Sequence, residues 1–269
     1  MDSCVLSDGV TAFERAGDGP VIVFIHGLST PSFVWDDLLP LIHDEGYSSL
    51  RYDLFGRGGS QAGHASYGPE LYTRQLLELL DHCGLTDPIT ICGYSMGGGI
   101  AACTAASNPE RVKALSLIAP AGLVTVLDGW WRHLNSPIWG RTYGRLFAGR
   151  RLRLDSLEQA LELDLAPDFS KRQDAATRKP GFMNAVRKSI KDFPMSDLHD
   201  VHKDLAKTDL PITAIWGSLD VVIPVVASEE LSAINPKIDS HMIEGATHSM
   251  PYTHQTEVAE KMLGFLRSL

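Results

Sequence analysis

The chain has 269 residues, of which 44% are hydrophobic and 21% charged, and its formal net charge is −9. The length suits one α/β domain with room for an inserted subdomain, the composition is that of a soluble globular protein, and the negative balance excludes a nucleic-acid partner, whose phosphates would repel it. The opening MDSCVLSDGV lacks the basic and apolar segments of a secretory peptide, and the longest nearly apolar run, 114–127, is too short to span a bilayer and is broken by Pro120 and Gly122.

The first elements are a small hairpin, residues 5–6 and 10–14, around Ser7-Asp8-Gly9. VIVFI at 21–25 is a continuous β-branched and aromatic run, the pattern of a strand buried on both faces. It ends in His26-Gly27-Leu28. Residues 48–52 form a further predicted strand. In the helix that follows, Tyr72, Leu76, Leu79, Leu80 and Cys83 share one face, and Gly84 takes the C-terminal cap. Cys4, Cys83, Cys92 and Cys103 have no C-x-x-C spacing and read as free buried thiols in a reducing, cytoplasmic compartment.

Strand 89–92 runs straight into Gly93-Tyr94-Ser95-Met96-Gly97 and then into a helix of very small residues. This is the strand–turn–helix context of a G-x-S-x-G nucleophile elbow. Gly97, Gly98 and Gly99 are costly inside a helix, so their presence predicts that the helix lies very close to the sheet. A serine hydroxyl is a poor nucleophile at neutral pH. It needs a base, a group that orients the base, and donors for the oxyanion. The backbone N–H of Met96, next to the nucleophile, and that of Leu28, after the tight turn at Gly27, are the candidate donors. His26 reads as a structural hydrogen-bonding residue under that loop rather than as a base.

After the sixth strand, 114–118, the alternation breaks. From 121 to 209 no strand pattern is evident, and aromatic residues are frequent, including Trp130 and Trp131. The expectation is a helical cap over 121–209 inserted between two core segments, 1–120 and 210–269. Trp130 and Trp131 are candidates for contact with an apolar substrate, although such aromatics more often build the core of a small helical unit. The run RTYGRLFAGRRLR, 141–153, could meet anionic lipid or an acidic substrate, but a solvated helix face is the more frequent use of such charges.

Strand character resumes at 211–216 and leads to Gly217-Ser218-Leu219-Asp220, a carboxylate at the C-terminal edge of the sheet, where ligands bind in open α/β folds. A last strand at 238–243 is followed by Gly245-Ala246-Thr247-His248 and a final helix. Of the ten histidines, His248 alone follows the last strand by a short loop; His241 lies inside that strand and His254 opens the helix. The order Ser95, Asp220, His248 is nucleophile, acid, base.

HG at 26–27, YDLFGRGGS at 52–60, GYSMGG at 93–98, GSLD at 217–220 and GATH at 245–248, in that order, resemble the α/β-hydrolase family, and within it the lid-containing carboxylesterases and monoacylglycerol-lipase-like serine hydrolases. The resemblance implies a mostly parallel central sheet with helices on both faces, an Asp53-x-x-Gly56-x-Gly58 turn of structural use, and a cap whose inner face forms the substrate pocket. It implies a Ser95–His248–Asp220 triad that cleaves a small-molecule ester with an apolar moiety through an acyl-enzyme. A carbon–carbon bond hydrolase, a cofactor-free perhydrolase and a non-catalytic ligand receptor of the same fold are the rival readings. Dehalogenases and epoxide hydrolases are disfavoured, because they carry Asp where this chain has Ser95. No phosphate loop, dinucleotide fingerprint or metal-ligand spacing is present, so no cofactor is expected.

Overall fold

The Ser7-Asp8 turn closes the predicted hairpin: β1, Asp2–Leu6, pairs antiparallel with β2, Gly9–Ala16, so both strands are longer than their sequence pattern indicates. The computed structural model describes residues 1–134, 136, 138–162 and 167–269, with the backbone alone at 159, 160, 162 and 167. β2 also pairs antiparallel with β4, Ser48–Tyr52, and every later pairing is parallel. Counting β3, Val21–Ile25, β5, Ile89–Tyr94, β6, Val112–Ile118, β7, Ile212–Gly217, and β8, Asp239–Ile243, the eight-stranded order is β1-β2-β4-β3-β5-β6-β7-β8. The chain winds from β3 to β4 on one side and then to β5 on the other, which sets the C-terminal ends of the parallel strands β3 and β5 side by side, Ile25 opposite Gly93, and a ligand crevice belongs at such a switch point.

Helices α1, Leu39–Asp44, α2, Pro69–His82, and α3, Met96–Ser107, separate the first parallel strands. α2 buries Leu71, Tyr72, Leu76, Leu79 and Leu80, and Gly84 takes φ +68 just beyond it, the left-handed stop that its sequence predicts. The predicted proximity of α3 to the sheet is literal. A Cβ on Gly97 would lie 2.2 Å from the Ile25 carbonyl oxygen, and one on Gly98 2.7 Å from Pro120 Cβ. Backbone thus packs on backbone where α3 crosses β3 and β5.

Between β6 and β7 the described residues contain helices and no strand: α4, Trp131–Leu134, α5, Gly140–Tyr143, a π-helical turn, Gly144–Ala148, α6, Gly149–Glu162, α7, Pro167–Thr177, α8, Phe182–Asp192, and α9, His199–Ala206. Leu134, Ala148, Leu152, Phe182, Val186 and Ile190 form a small core of their own there, separate from the one around the sheet. Helices α10, Val226–Ile234, α11, Met250–Thr253, and α12, Gln255–Arg267, complete the chain. Among the described residues no helix is long and apolar enough to cross a membrane. The four cysteines are free; Cys4, Cys92 and Cys103 are buried as expected, and Cys83 is only half-buried, at the C-terminal end of α2.

Candidate active site

Ser95 sits in the turn between β5 and α3 with φ 54 and ψ −122, backbone angles that a non-glycine residue rarely adopts. The strain is held from both sides. Ser95 N donates to Ile118 O at 2.9 Å, and Ser95 O accepts from Ala121 N at 2.9 Å. The neighbouring glycines permit this. A Cβ on Gly93 would lie 2.4 Å from the Gly97 carbonyl oxygen, so the turn closes only without one.

The structure brings the three predicted side chains together. Asp220 follows β7 and is buried. Its Oδ1 accepts from the backbone N–H groups of Val222 and Ile223, both at 2.8 Å, which leaves Oδ2 for His248 Nδ1 at 2.7 Å. His248 Nε2 then stands 3.0 Å from Ser95 Oγ. A carboxylate can only accept, so Nδ1 carries the proton and Nε2 is free to take one from the serine. The loops bearing acid and imidazole are interlocked, with Leu219 N donating to Ala246 O at 2.9 Å and Ser218 N to Ile243 O at 3.1 Å.

The candidate oxyanion donors, Leu28 and Met96, follow β3 and β5 respectively. Met96 is the first residue of α3, where an N–H has no acceptor within the helix. The loop after β3 presses on the serine: a Cβ on Gly27 would be 3.3 Å from Ser95 Cβ. His26 is fully buried below this loop. Its Nε2 accepts from Leu54 N at 2.9 Å, so its Nδ1 carries the proton and donates to Gly27 O at 2.8 Å. Burial pushes this imidazole down to about 4, which keeps it neutral, as its structural role requires. Asp53 spans the turn that follows β4, accepting from Ser32 N at 2.9 Å and Gly59 N at 2.8 Å.

A cavity of about 420 Å³ opens on Ser95 and His248, walled by Leu28, Val126, Leu127, Trp131, Met195 and Val222 among others. Four of these six come from the segment 121–209. Trp131 lines the cavity, whereas Trp130 stacks on it at 4.1 Å between centroids and donates its indole N–H to Asp155 at 2.6 Å.

Two further residues bear on the site and were missed in the sequence. Tyr94, the first of the two variable residues of the elbow motif, donates its hydroxyl to the His248 carbonyl at 2.7 Å and lays its ring 5.1 Å from the imidazole. Arg57 is wholly buried, and its recorded acceptors are neutral oxygens: Leu28 O, Phe55 O, Tyr72 Oη and Ser189 Oγ, at 2.7 to 3.0 Å. It ties the carbonyl of the candidate oxyanion loop to α8. Nothing local distinguishes either residue from an ordinary core tyrosine or a turn arginine.

A family described as alpha/beta hydrolase fold matches residues 20–255 of this chain. A pimeloyl-[acyl-carrier protein] methyl ester esterase from Aeromonas hydrophila subsp. hydrophila is 25% identical, over 92% of this chain and 95% of its own. A non-heme chloroperoxidase, CPO-A1 of Kitasatospora aureofaciens, is also 25% identical, over 93% of each. In three dimensions, the enol-lactonase from Burkholderia xenovorans LB400 superposes with a TM-score of 0.81 at 19% identity, covering 99% of this chain and all of that one, a likeness of fold.

Proposed function

The chain belongs to the α/β-hydrolase fold family, and within it we propose that the chain is a serine hydrolase that cleaves a carboxylic ester. The observation that carries this reading is the hydrogen-bonded line Asp220–His248–Ser95, ending on a serine held in a strained turn. In the proposed reaction Ser95 Oγ attacks the ester carbonyl carbon while His248 Nε2 takes its proton. Asp220 holds the imidazole in the tautomer that can accept and stabilises the cation that forms. The N–H groups of Leu28 and Met96 receive the carbonyl oxygen as it becomes negative. Collapse returns the proton to the leaving alcohol and leaves an acyl group on Ser95. A water molecule, deprotonated by His248, then attacks the acyl carbon and releases the acid and the free serine. Every step uses groups of this chain, the ester and water.

The apolar wall of the cavity supports an ester with an apolar acyl or alcohol part. We assign segment 121–209 as a cap on a core made of 1–120 and 210–269, because it contributes Val126, Leu127, Trp131 and Met195 to that wall. Four unpaired cysteines fit a reducing, cytoplasmic setting.

The test is hydrolysis of p-nitrophenyl esters from acetyl to palmitoyl by the parent and by Ser95→Ala. Turnover by the parent that disappears in the variant supports the reading, and the preferred chain length measures the cavity. A folded parent that turns over none of them would overturn it in favour of carbon–carbon bond hydrolysis or ligand reception.

A further inference from the structure

The cationic run 141–153 does not all point into open solvent. Arg141, Arg145, Arg150 and Arg153 line a second cavity, of about 460 Å³, together with Lys179 from the loop after α7 and Arg187 from α8. Among the described residues no Asp or Glu lines it. Among the described residues the only carboxylate paired with any of the six is Asp174, 3.1 Å from Arg153. Lys179 Nζ donates to Gly58 O at 2.6 Å, and Arg187 Nε is buried without a hydrogen-bond partner.

The helix is built to make this row. Arg141 and Arg145 are four residues apart, one turn of α-helix. Continued regularly, the same face would next present Ala148 and Leu152. The π-helical turn Gly144–Ala148 holds one more residue than an α turn, which rotates the following helix. Ala148 and Leu152 turn inward, where both are buried in the small core, and Arg150 and Arg153 join the row. Gly149 keeps the wall low beside them: a Cβ there would be 3.5 Å from Arg153 Nη1. Six cations gathered on a chain of net charge −9 repel one another, and a multivalent anion would relieve that repulsion. Guanidinium forks match phosphate oxygens two at a time, and the volume suits a small ligand.

We infer that this cavity is a binding site for a phosphate group. A free phosphate compound and a phospholipid headgroup present the same oxygens, and exposed Leu146 and Phe147 lie in the same stretch of helix.

The test has two arms, both on the full chain at low ionic strength: calorimetric titration with pyrophosphate, and co-sedimentation with phosphatidylcholine vesicles containing phosphatidic acid. Arg145→Ala, Arg187→Ala and, as a control on α9, Lys203→Ala are compared with the parent, with melting temperatures to certify folding. Saturable binding of pyrophosphate by the parent is expected, about tenfold or more weaker in each arginine variant and unchanged in Lys203→Ala. The same pattern with vesicles alone would also support the site and assign its phosphate to a lipid headgroup. Should Arg187→Ala not fold, Arg150→Ala, altered at an exposed position, takes its place. No binding of either probe by the folded parent, or equal binding by the arginine variants, would overturn the proposal.

Discussion

Around Ser95, β3, β5 and α3 touch backbone to backbone, with glycine wherever a side chain would intervene. Between α4 and α8 the helices are held by a core of Leu134, Ala148, Leu152, Phe182, Val186 and Ile190, while Ile138, Trp139, Leu146 and Phe147 stand exposed. The first arrangement leaves no room for a side chain, and close-packed backbone yields little. The second leaves few buried contacts to lose on opening, and such units open locally at low cost. The proposed proton transfer and attack would call for the rigid frame, whereas the pocket wall and the proposed anion site would rest on the lighter one.

The contrast can be broken most severely at the acid. Asp220→Asn keeps the shape but presents a donor where His248 requires an acceptor, and kcat should fall on the order of 10⁴ with the melting temperature little changed. Retained turnover would remove Asp220 from the proposed triad. Next in size is a pair of alanine substitutions read by urea unfolding. Gly97→Ala drives a Cβ into the Ile25 carbonyl oxygen and should cost about 3 kcal/mol or more. Gly149→Ala meets only the ends of flexible side chains, Met183 Cγ at 3.4 Å and Arg153 Nη1 at 3.5 Å, and should be neutral or stabilising by up to about 1 kcal/mol. Equal costs would show that the two regions are packed alike.

The bridge between the regions gives a third test. Arg57→Met strips the donor from four buried oxygens and should cost about 2 kcal/mol or more. Turnover should fall about tenfold as the loop bearing Leu28 loses its anchor; unchanged turnover would make Arg57 a folding residue alone.

The smallest effect is on pH dependence. Burial holds His26 in the sheet domain and His202 in α9 down at about 4, against an ordinary value of 6.5. Between those values the unfolded chain binds more protons than the folded one, so stability is full above about 6.5 and falls as pH drops toward 4. His202 Nδ1 is buried without a partner. His202→Leu should therefore keep its stability at pH 7 and show a shallower fall between pH 6.5 and 4.5. A slope equal to the parent's would show that His202 does not take part.

The strands, their mostly parallel pairing and the helix stop at Gly84 were legible because period, β-branching and glycine act over a few residues. Ser95, Asp220 and His248 could be picked out as candidates for a related reason: each stands at the end of a strand, and the topology alone carries those ends to one edge. Trp131 was within reach as a pocket residue, but its separation from Trp130 was not, since the two are adjacent in sequence and alike in chemistry. Steric rules acting within a few residues therefore set what could be read along the chain, including where a serine could be strained and where a helix must lie close. The long-range partners come only from packing: Tyr94 with the carbonyl of a residue 154 positions away, Arg57 with Ser189 132 positions away, and Arg145 with Lys179 and Arg187 around one cavity. A hydroxyl or guanidinium has the same local signature whether it faces water or a buried oxygen, and only packing chooses between them.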